Sequence, residues 1–301
     1  MNSIEKALQK KNEQVKKIQE KQSLDIASKE NLSAQSTIEK AEKAKPATKL
    51  INEGLTTSQH IEIDFNMLEK KGFVSTSSQR SLINEEYRAV KRKLLNNAFG
   101  PLSKSLNNSN IIMVTSSRPG EGKTFTAVNL ALSIALEKDK TVLLVDADVL
   151  KPNVMRTLEQ ENKQGLMEYL LGEKDNISEV MSRTNLDNLT IVTAGKSHHL
   201  STELLASEKM FDAVEEFANR YTDRVVIVDT PPLLGINETA ILANLAGQAL
   251  VVTEEGKTKL IDVENAVKQL NPEMAIGFLV NKAQKTSSDG TGYGYYYAGN
   301  D

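Results

Sequence analysis

The chain has 301 residues, with 37 Lys and Arg, 40 Asp and Glu, no Cys and no Trp, and a formal net charge of −3. This length predicts one large domain or two small ones at about 100 to 200 residues each, and the missing Cys excludes disulfides, thiolate metal sites and a cysteine nucleophile. The near-neutral charge excludes a global basic field, so nucleic acid is not an expected partner.

The N-terminal part is a charged segment without aromatic residues up to Asp64. Its first 50 residues carry 11 Lys against 7 Asp and Glu. Such a composition predicts a flexible extension over residues 1–75. Within it, apolar residues at heptad-like positions leave two interpretations open, a solvated charged helix or tail and a docking helix for a partner; they are Ile4, Leu8, Val15 and Ile18.

No apolar run approaches the roughly 18 residues that cross a bilayer, and the first residues, MNSIEKALQK, lack the apolar core of a signal peptide. The sequence therefore predicts a cytoplasmic protein. From Ser81 the pattern LINEEYRAVKRKLLNN predicts a helix, which Phe99-Gly100-Pro101 ends. Residues 76–107 are assigned to this helix and its connection.

Short apolar runs then alternate with helical segments. Because the runs are continuous and rich in β-branched residues, they predict strands buried on both faces, with helical crossovers between parallel neighbours. The sequence predicts an α/β domain over residues 108–283, a doubly wound, mainly parallel sheet with helices on both faces. The predicted strands are 111–114, 142–145, 189–192, 225–228, 250–252 and 276–280.

A phosphate-binding loop follows the first of these strands and opens a helix, as the P-loop NTPase fold requires. Backbone N–H groups and the helix N-terminus of such a loop hold phosphates, and Gly120 and Gly122 keep side chains out of the cradle. Lys123 is predicted to reach the β and γ phosphates of ATP, and Thr124 to bind Mg²⁺; the alternative is a Gly-rich turn without a ligand. The candidate nucleotide-binding residues here are Ser117, Pro119, Gly120, Glu121, Gly122, Lys123, Thr124 and Phe125.

Three acidic residues end two other predicted strands: Asp146 and Asp148 follow the second strand and Asp229 follows the fourth. Ligands of an open parallel sheet lie beyond the carboxyl ends of its strands. The three carboxylates are therefore predicted to serve Mg²⁺ and catalysis, with helix capping as the alternative.

Together the motifs SSRPGEGKT, VDAD and VIVDTPP and the Tyr-rich tail resemble the bacterial tyrosine kinases of polysaccharide export, over about residues 80–301. The N-terminal IEKAL further resembles the exosortase-associated branch of that family. The resemblance implies a P-loop kinase domain with Lys123 and Asp146 as catalytic residues, Asp146 accepting the proton of the incoming tyrosine. It also implies that Asp148 and Asp229 serve the metal and its water shell. Asn281 is implied in adenine contact, with a strand-end turn residue as the alternative.

The same resemblance implies a ring of subunits packed through Glu85, Arg88 and Lys91, although the family has Arg at the third position. Leu150 and Glu238 are two further departures from the family pattern.

The C-terminal segment 284–301 is predicted to be a flexible tail whose tyrosines are autophosphorylated by neighbouring copies; the alternative is an incidental terminus. These are Tyr293, Tyr295, Tyr296 and Tyr297. Adjacent His198 and His199 have no third ligand nearby in sequence and are interpreted as exposed loop residues.

The leading hypothesis is an ATP- and Mg²⁺-dependent protein-tyrosine autokinase that regulates exopolysaccharide synthesis, polymerisation or export. The implied partners are other copies of the chain, a separate membrane chain-length regulator that recruits it to the inner face of the plasma membrane, and a phosphotyrosine phosphatase. The alternative is a regulatory P-loop ATPase of the partitioning or cell-division type. Such ATPases usually carry Lys at the second loop position, where this chain has Arg118 followed by Pro119.

Overall fold

The computed structural model describes residues 59–75 and 81–283. The amphipathic N-terminal segment and the tail tyrosines lie outside the described residues. Among those that are described, no helix is both long and apolar enough to cross a membrane.

One eight-stranded sheet forms the centre of the described fold. The strands are β1 (Gln59–Ile61), β2 (Ile111–Ser116), β3 (Thr141–Asp146), β4 (Met181–Thr184), β5 (Leu189–Val192), β6 (Arg224–Asp229), β7 (Gln248–Glu254) and β8 (Ala275–Asn281). They lie side by side in the order β1-β4-β5-β3-β6-β2-β7-β8, and all neighbours are parallel except the antiparallel pair β4 and β5. The predicted mainly parallel α/β sheet is confirmed, and each of the six predicted strands is present. The predicted burial on both faces is wrong for β8, because it lies at the edge of the sheet and leaves Phe278 and Val280 exposed.

Helices cover both faces of this sheet, so side chains alternate between two hydrophobic clusters along a central strand. In β2, Ile111 and Met113 join one cluster, and Ile112 and Val114 join the other. The helices are α1 (Phe65–Lys70), α2 (Leu82–Phe99), α3 (Lys123–Ala135), α4 (Val154–Thr157), α5 (Leu166–Leu170), α6 (Ser201–Leu205), α7 (Glu208–Asn219), α8 (Asn237–Ala243) and α9 (Leu260–Val267).

The fold begins earlier than the predicted boundary at residue 75. Strand β1 pairs with β4, and the helix that follows it buries Leu68, while Phe73 packs its ring on Phe125. Residues 59–75 thus belong to the sheet and its core, which corrects their assignment to the flexible extension. The sequence pattern did not predict residues 59–75 as part of the fold, because β1 has only three residues and its partner β4 reads MSRT, which is too short and too polar to predict a strand.

The predicted helix from Ser81 is confirmed as α2, whose first turn is capped by the Ser81 hydroxyl accepting from the N–H of Asn84 at 3.3 Å. Lys91, however, turns inward: its Nζ donates to the carbonyl of Ser133 at 2.8 Å and pairs with Glu137 at 2.5 Å. Lys91 is thus bound within its own subunit, and its predicted place at a subunit interface stays a prediction.

The other two residues of the predicted interface, Glu85 and Arg88, are exposed and form an ion pair with each other along one face of α2. They remain available for a contact between subunits.

Candidate active site

The phosphate-binding loop joins β2 to α3, as predicted. Gly120 and Gly122 have φ of +88° and +100°, a region that residues with a Cβ rarely adopt. At Gly122 a Cβ would also lie 1.9 Å from Nδ2 of Asn281, whereas at Gly120 nothing lies within 4 Å of it. Backbone conformation thus requires glycine at both positions, and close packing requires it only at Gly122.

This difference gives a matched pair of variants. Gly120→Ala is expected to weaken ADP binding by roughly tenfold, because the left-handed conformation costs about 1–2 kcal/mol. Gly122→Ala is expected to weaken it by at least a further factor of about ten, because the added methyl must displace Asn281 as well. Calorimetric titration with ADP measures both affinities; equal losses would contradict the close-packing argument.

The end of β8 holds two carbonyl groups of the loop. Asn281 donates from Nδ2 to the carbonyl of Glu121 at 2.9 Å, and Lys282 donates from Nζ to that of Gly120 at 2.8 Å. The structure thus brings Asn281 to the loop, and its proposed contact with adenine remains a prediction. Sequence reasoning missed Lys282, which had no motif to identify it; Lys282 has a φ of +58° at the strand end.

Lys123 lies among the three predicted acidic residues. Its Nζ donates to Oδ2 of Asp148 at 2.6 Å and lies 3.9 Å from Oδ1 of Asp229. Asp146 and Asp229 are direct neighbours in the register of β3 and β6. The predicted cluster therefore forms because parallel strands end at the same edge of the sheet.

Asp146 is both a buried acid and a structural acceptor. Its Oδ2 accepts from the N–H groups of Asn153 and Val154 at 3.1 and 3.0 Å, and its Oδ1 accepts from that of Asp148 at 3.2 Å. Burial, followed by the charge of Asp229, raises the pKa of Asp146 to about 8, against the opposing N–H of Val154. The capping alternative is thus also true of Asp146, which ties the start of α4 to the end of β3.

Asp229 is fully buried, and neither carboxylate oxygen has a hydrogen-bond partner within the described part of the chain. Burial raises the pKa of Asp229 to about 6, with Lys123 acting in the opposite direction. For Lys123, burial alone would lower the pKa, but Asp229 and Asp148 outweigh it and the pKa is raised. The ammonium of Lys123 lies 3.9 Å from this carboxylate and balances part of its charge, and the oxygens can still accept hydrogen bonds from a further ligand.

These residues fit Mg²⁺. Three buried carboxylates face one ammonium group, and the oxygens of Asp229 can accept hydrogen bonds from metal-bound water. Asp148 is less free, because Lys123 occupies Oδ2 and the N–H of Lys151 donates to Oδ1 at 3.1 Å. Within residues 59–75 and 81–283, no three His, Asp or Glu side chains form a preformed metal cage, but Mg²⁺ does not require one, since it keeps several waters and binds substrate phosphates.

The other predicted nucleotide-binding residues of the loop differ in burial and in the side of the fold that they face. Ser117 and Thr124 are buried at the loop, Pro119 is exposed, and the ring of Phe125 packs against Phe73 with centroids 4.6 Å apart. That ring faces the hydrophobic core, so a nucleotide contact of Phe125 would use its backbone N–H.

The departure at Glu238 has a structural reason. Its Oε1 accepts from the hydroxyls of Ser201 and Thr202 at 3.2 and 2.8 Å at the start of α6. His198 and His199 stack on each other in a loop, outside the cluster around Lys123.

Comparison with known proteins agrees with this arrangement. An AAA-domain family model matches residues 109–276. Tyrosine-protein kinase YwqD of Bacillus subtilis is 32% identical over 229 residues, which cover 75% of this chain and 92% of that protein. The chain spans only 26% of the tyrosine-protein kinase wzc of Salmonella typhimurium, to which it is 31% identical over 190 residues. The kinase domain of the Escherichia coli tyrosine kinase ETK superposes with a TM-score of 0.58 at 25% identity, covering 84% of this chain and 100% of that chain. With the loop, the acidic strand ends and the sheet order described above, these matches show that the chain belongs to the bacterial tyrosine-protein kinase family.

Proposed function

We propose that this chain is an ATP- and Mg²⁺-dependent autokinase that phosphorylates tyrosines in the tail, residues 284–301, of a neighbouring copy. The observation that carries the proposal is the buried cluster in which Lys123 faces three strand-end carboxylates beside the phosphate-binding loop. Phosphoryl transfer depends mainly on positioning and charge neutralisation, and this cluster supplies both.

Each side chain has a distinct part in the proposed reaction. Lys123 binds the phosphates as a permanently charged ammonium, since its pKa is raised. Thr124 and Asp229 would hold Mg²⁺ and its water, which neutralises phosphate charge when bound. Asp146 accepts the tyrosine proton in its ionised form, which Lys123 favours and a bound Mg²⁺ would favour further, and its raised pKa makes that carboxylate a stronger base than an ordinary Asp.

The partition-type ATPase is the weaker candidate. Its Lys at the second loop position would have to reach across a dimer, but Arg118 forms a bidentate pair with Asp262 of its own chain, at 2.7 and 2.9 Å. In this chain the guanidinium thus contacts a residue of its own subunit rather than pointing away toward a partner.

The proposed regulation depends on the surroundings of the kinase. Subunits pack through the exposed Glu85 and Arg88. Phosphorylation adds about −1.5 to −2 charge per tyrosine, so the tail is repelled from the acidic site of the neighbouring subunit and the ring dissociates. A membrane chain-length regulator activates the kinase and recruits it to the membrane, and a phosphatase resets it. This cycle controls the synthesis or export of a polysaccharide.

Replacing the four tail tyrosines together by Phe tests the substrate assignment. Incubation with labelled ATP is expected to lose phosphotyrosine almost completely, because the acceptor hydroxyls are gone while the buried cluster is unchanged. The matched control is Tyr221→Phe, which removes the hydroxyl of an exposed tyrosine on the folded domain and should leave labelling unchanged. Full labelling of the fourfold variant would disprove the tail as substrate, and free phosphate without labelled wild-type protein would favour the regulatory ATPase.

A further inference from the structure

A second set of contacts holds the phosphate-binding loop, through the side chain of Glu121, to which the proposed reaction assigns no separate part. The carboxylate of Glu121, in the middle of the loop, is 5% exposed. Its Oε2 accepts from the N–H of Arg118 at 2.8 Å, and its Oε1 accepts from the hydroxyl of Thr258. Thr258 belongs to the connection between β7 and α9, 137 positions further along the chain.

Thr258 is itself fixed, which makes the contact a rigid one. Its Oγ1 accepts from the N–H of Glu254, the last residue of β7, at 2.7 Å. The loop is thereby joined to a strand of the central sheet through two consecutive hydrogen bonds. The hydrogen bonds to the Glu121 carboxylate are charge-assisted, and such bonds are stronger than neutral ones and lose most when one partner is removed.

A neighbouring contact shows why Glu121 rather than Arg118 carries the connection. The pair between Arg118 and Asp262 also joins the loop to this region, but the Arg118 side chain is 60% exposed. Exposed ion pairs contribute about 0–1 kcal/mol and are screened by salt. The buried bridge through Glu121 therefore dominates the attachment of the loop to the β7–α9 connection.

We propose that Glu121 is a positioning residue for the nucleotide phosphates: its carboxylate sets the shape of the phosphate-binding loop by bridging the N–H of Arg118 and the hydroxyl of Thr258. A cradle of backbone N–H groups binds phosphate well only when those groups converge, so a loop freed from the bridge binds more weakly. The inference rests on the nucleotide binding of the proposed function, but not on the identity of the phosphorylated tyrosine.

The test measures ADP affinity by calorimetry and the melting temperature of each variant. Glu121→Ala is expected to weaken ADP binding about tenfold, and Thr258→Val about threefold to tenfold. The double variant should bind no more weakly than Glu121→Ala alone, because both changes break the same bridge. Glu121→Gln should stay within about threefold of wild type, because an amide can still accept from the N–H and donate to the hydroxyl oxygen.

A matched control separates positioning from general stability. Glu168 is also a buried glutamate, and it accepts from the N–H groups of Gly165 and Lys196, in a part of the fold that does not include the loop. Glu168→Ala should lower the melting temperature and leave ADP affinity unchanged. The inference is overturned if Glu121→Ala binds ADP as wild type does, if Glu168→Ala weakens binding equally, or if the effects in the double variant add. Should Glu121→Ala not fold, Thr258→Val decides, and wild-type affinity in that variant overturns the inference.

Because the readout is ADP binding, the two proposals fail separately. If the wild-type protein does not label its tail but Glu121→Ala still weakens ADP binding, only the autokinase assignment is rejected. If the wild-type protein labels its tail but Glu121→Ala binds ADP as wild type does, only the positioning role is rejected.

Discussion

Lys123→Met is expected to reduce phosphotyrosine formation by about 10³-fold or more. Within the described part of the chain this ammonium is the one positive side chain placed among the three buried carboxylates, and no Met atom can stabilise charge on a transferring phosphoryl group. Labelling with radioactive ATP, normalised to the folded fraction from circular dichroism, measures the loss. Normalisation matters because removing one partner of a buried ion pair typically costs about 3–5 kcal/mol.

The matched control is Lys71→Met. Lys71 pairs with Glu159 at the surface, so this change removes the same charge without touching the cluster, and labelling should be unchanged. Phosphosite mapping of Lys123→Met completes the experiment. Tail modification equal to that of wild type would mean that another kinase acts on these tyrosines, and the autokinase proposal would be abandoned.

Asp146→Asn is expected to lower labelling by about 10²–10⁴-fold while ADP binding persists, because an amide cannot take the tyrosine proton. Asn keeps one acceptor oxygen for the N–H groups of Asn153 and Val154, so α4 should remain in place. Comparing labelling with ADP affinity in the same preparation separates chemistry from binding. A variant that labels its tail at the wild-type rate would show that Asp146 only caps α4.

The same variant makes a pH-dependent prediction for protein without nucleotide or metal. The pKa of Asp146 is raised from 3.8 to about 8, so between these values the folded state keeps a proton that the unfolded state has released. The stability of wild type therefore falls as pH rises through this window. Asp146→Asn carries no such proton, so its free energy of unfolding should rise relative to that of wild type as the pH increases from about 5 to about 8. Urea unfolding at both pH values measures the difference, and parallel pH profiles would contradict the raised pKa.

The sequence predicted the elements whose signals are local. Six strands were found because runs such as Val142 to Val145 are continuous and apolar, and among them only β8 proved to be a half-exposed edge strand. The cluster of Lys123 and the acidic residues followed from one topological rule, that parallel strands end at a common edge. Neither inference needed to know which residues touch.

The errors have the opposite character. Strands β1 and β4 form by pairing with each other near the edge of the sheet, and their short polar sequences contain no pattern that predicts a strand. The resemblance placed Lys91 at a subunit interface, and only the packing shows that its ammonium contacts the end of α3, because the inner face of a helix depends on what packs against it. Such assignments depend on tertiary contacts.

The sequence by itself therefore determined the α/β class, the phosphate-binding loop and the three acidic strand ends, because hydrophobic periodicity and glycine spacing act over a few residues. Only the tertiary structure decided that Asp229 lies beside Lys123 without a hydrogen bond, that Asp146 accepts from the N–H groups at the start of α4, and that Glu121 is bound to Thr258. These facts depend on burial and on hydrogen bonds between residues far apart in the chain. Hydrogen bonds of that kind leave no periodic pattern in the sequence, so they become visible only when the chain is folded.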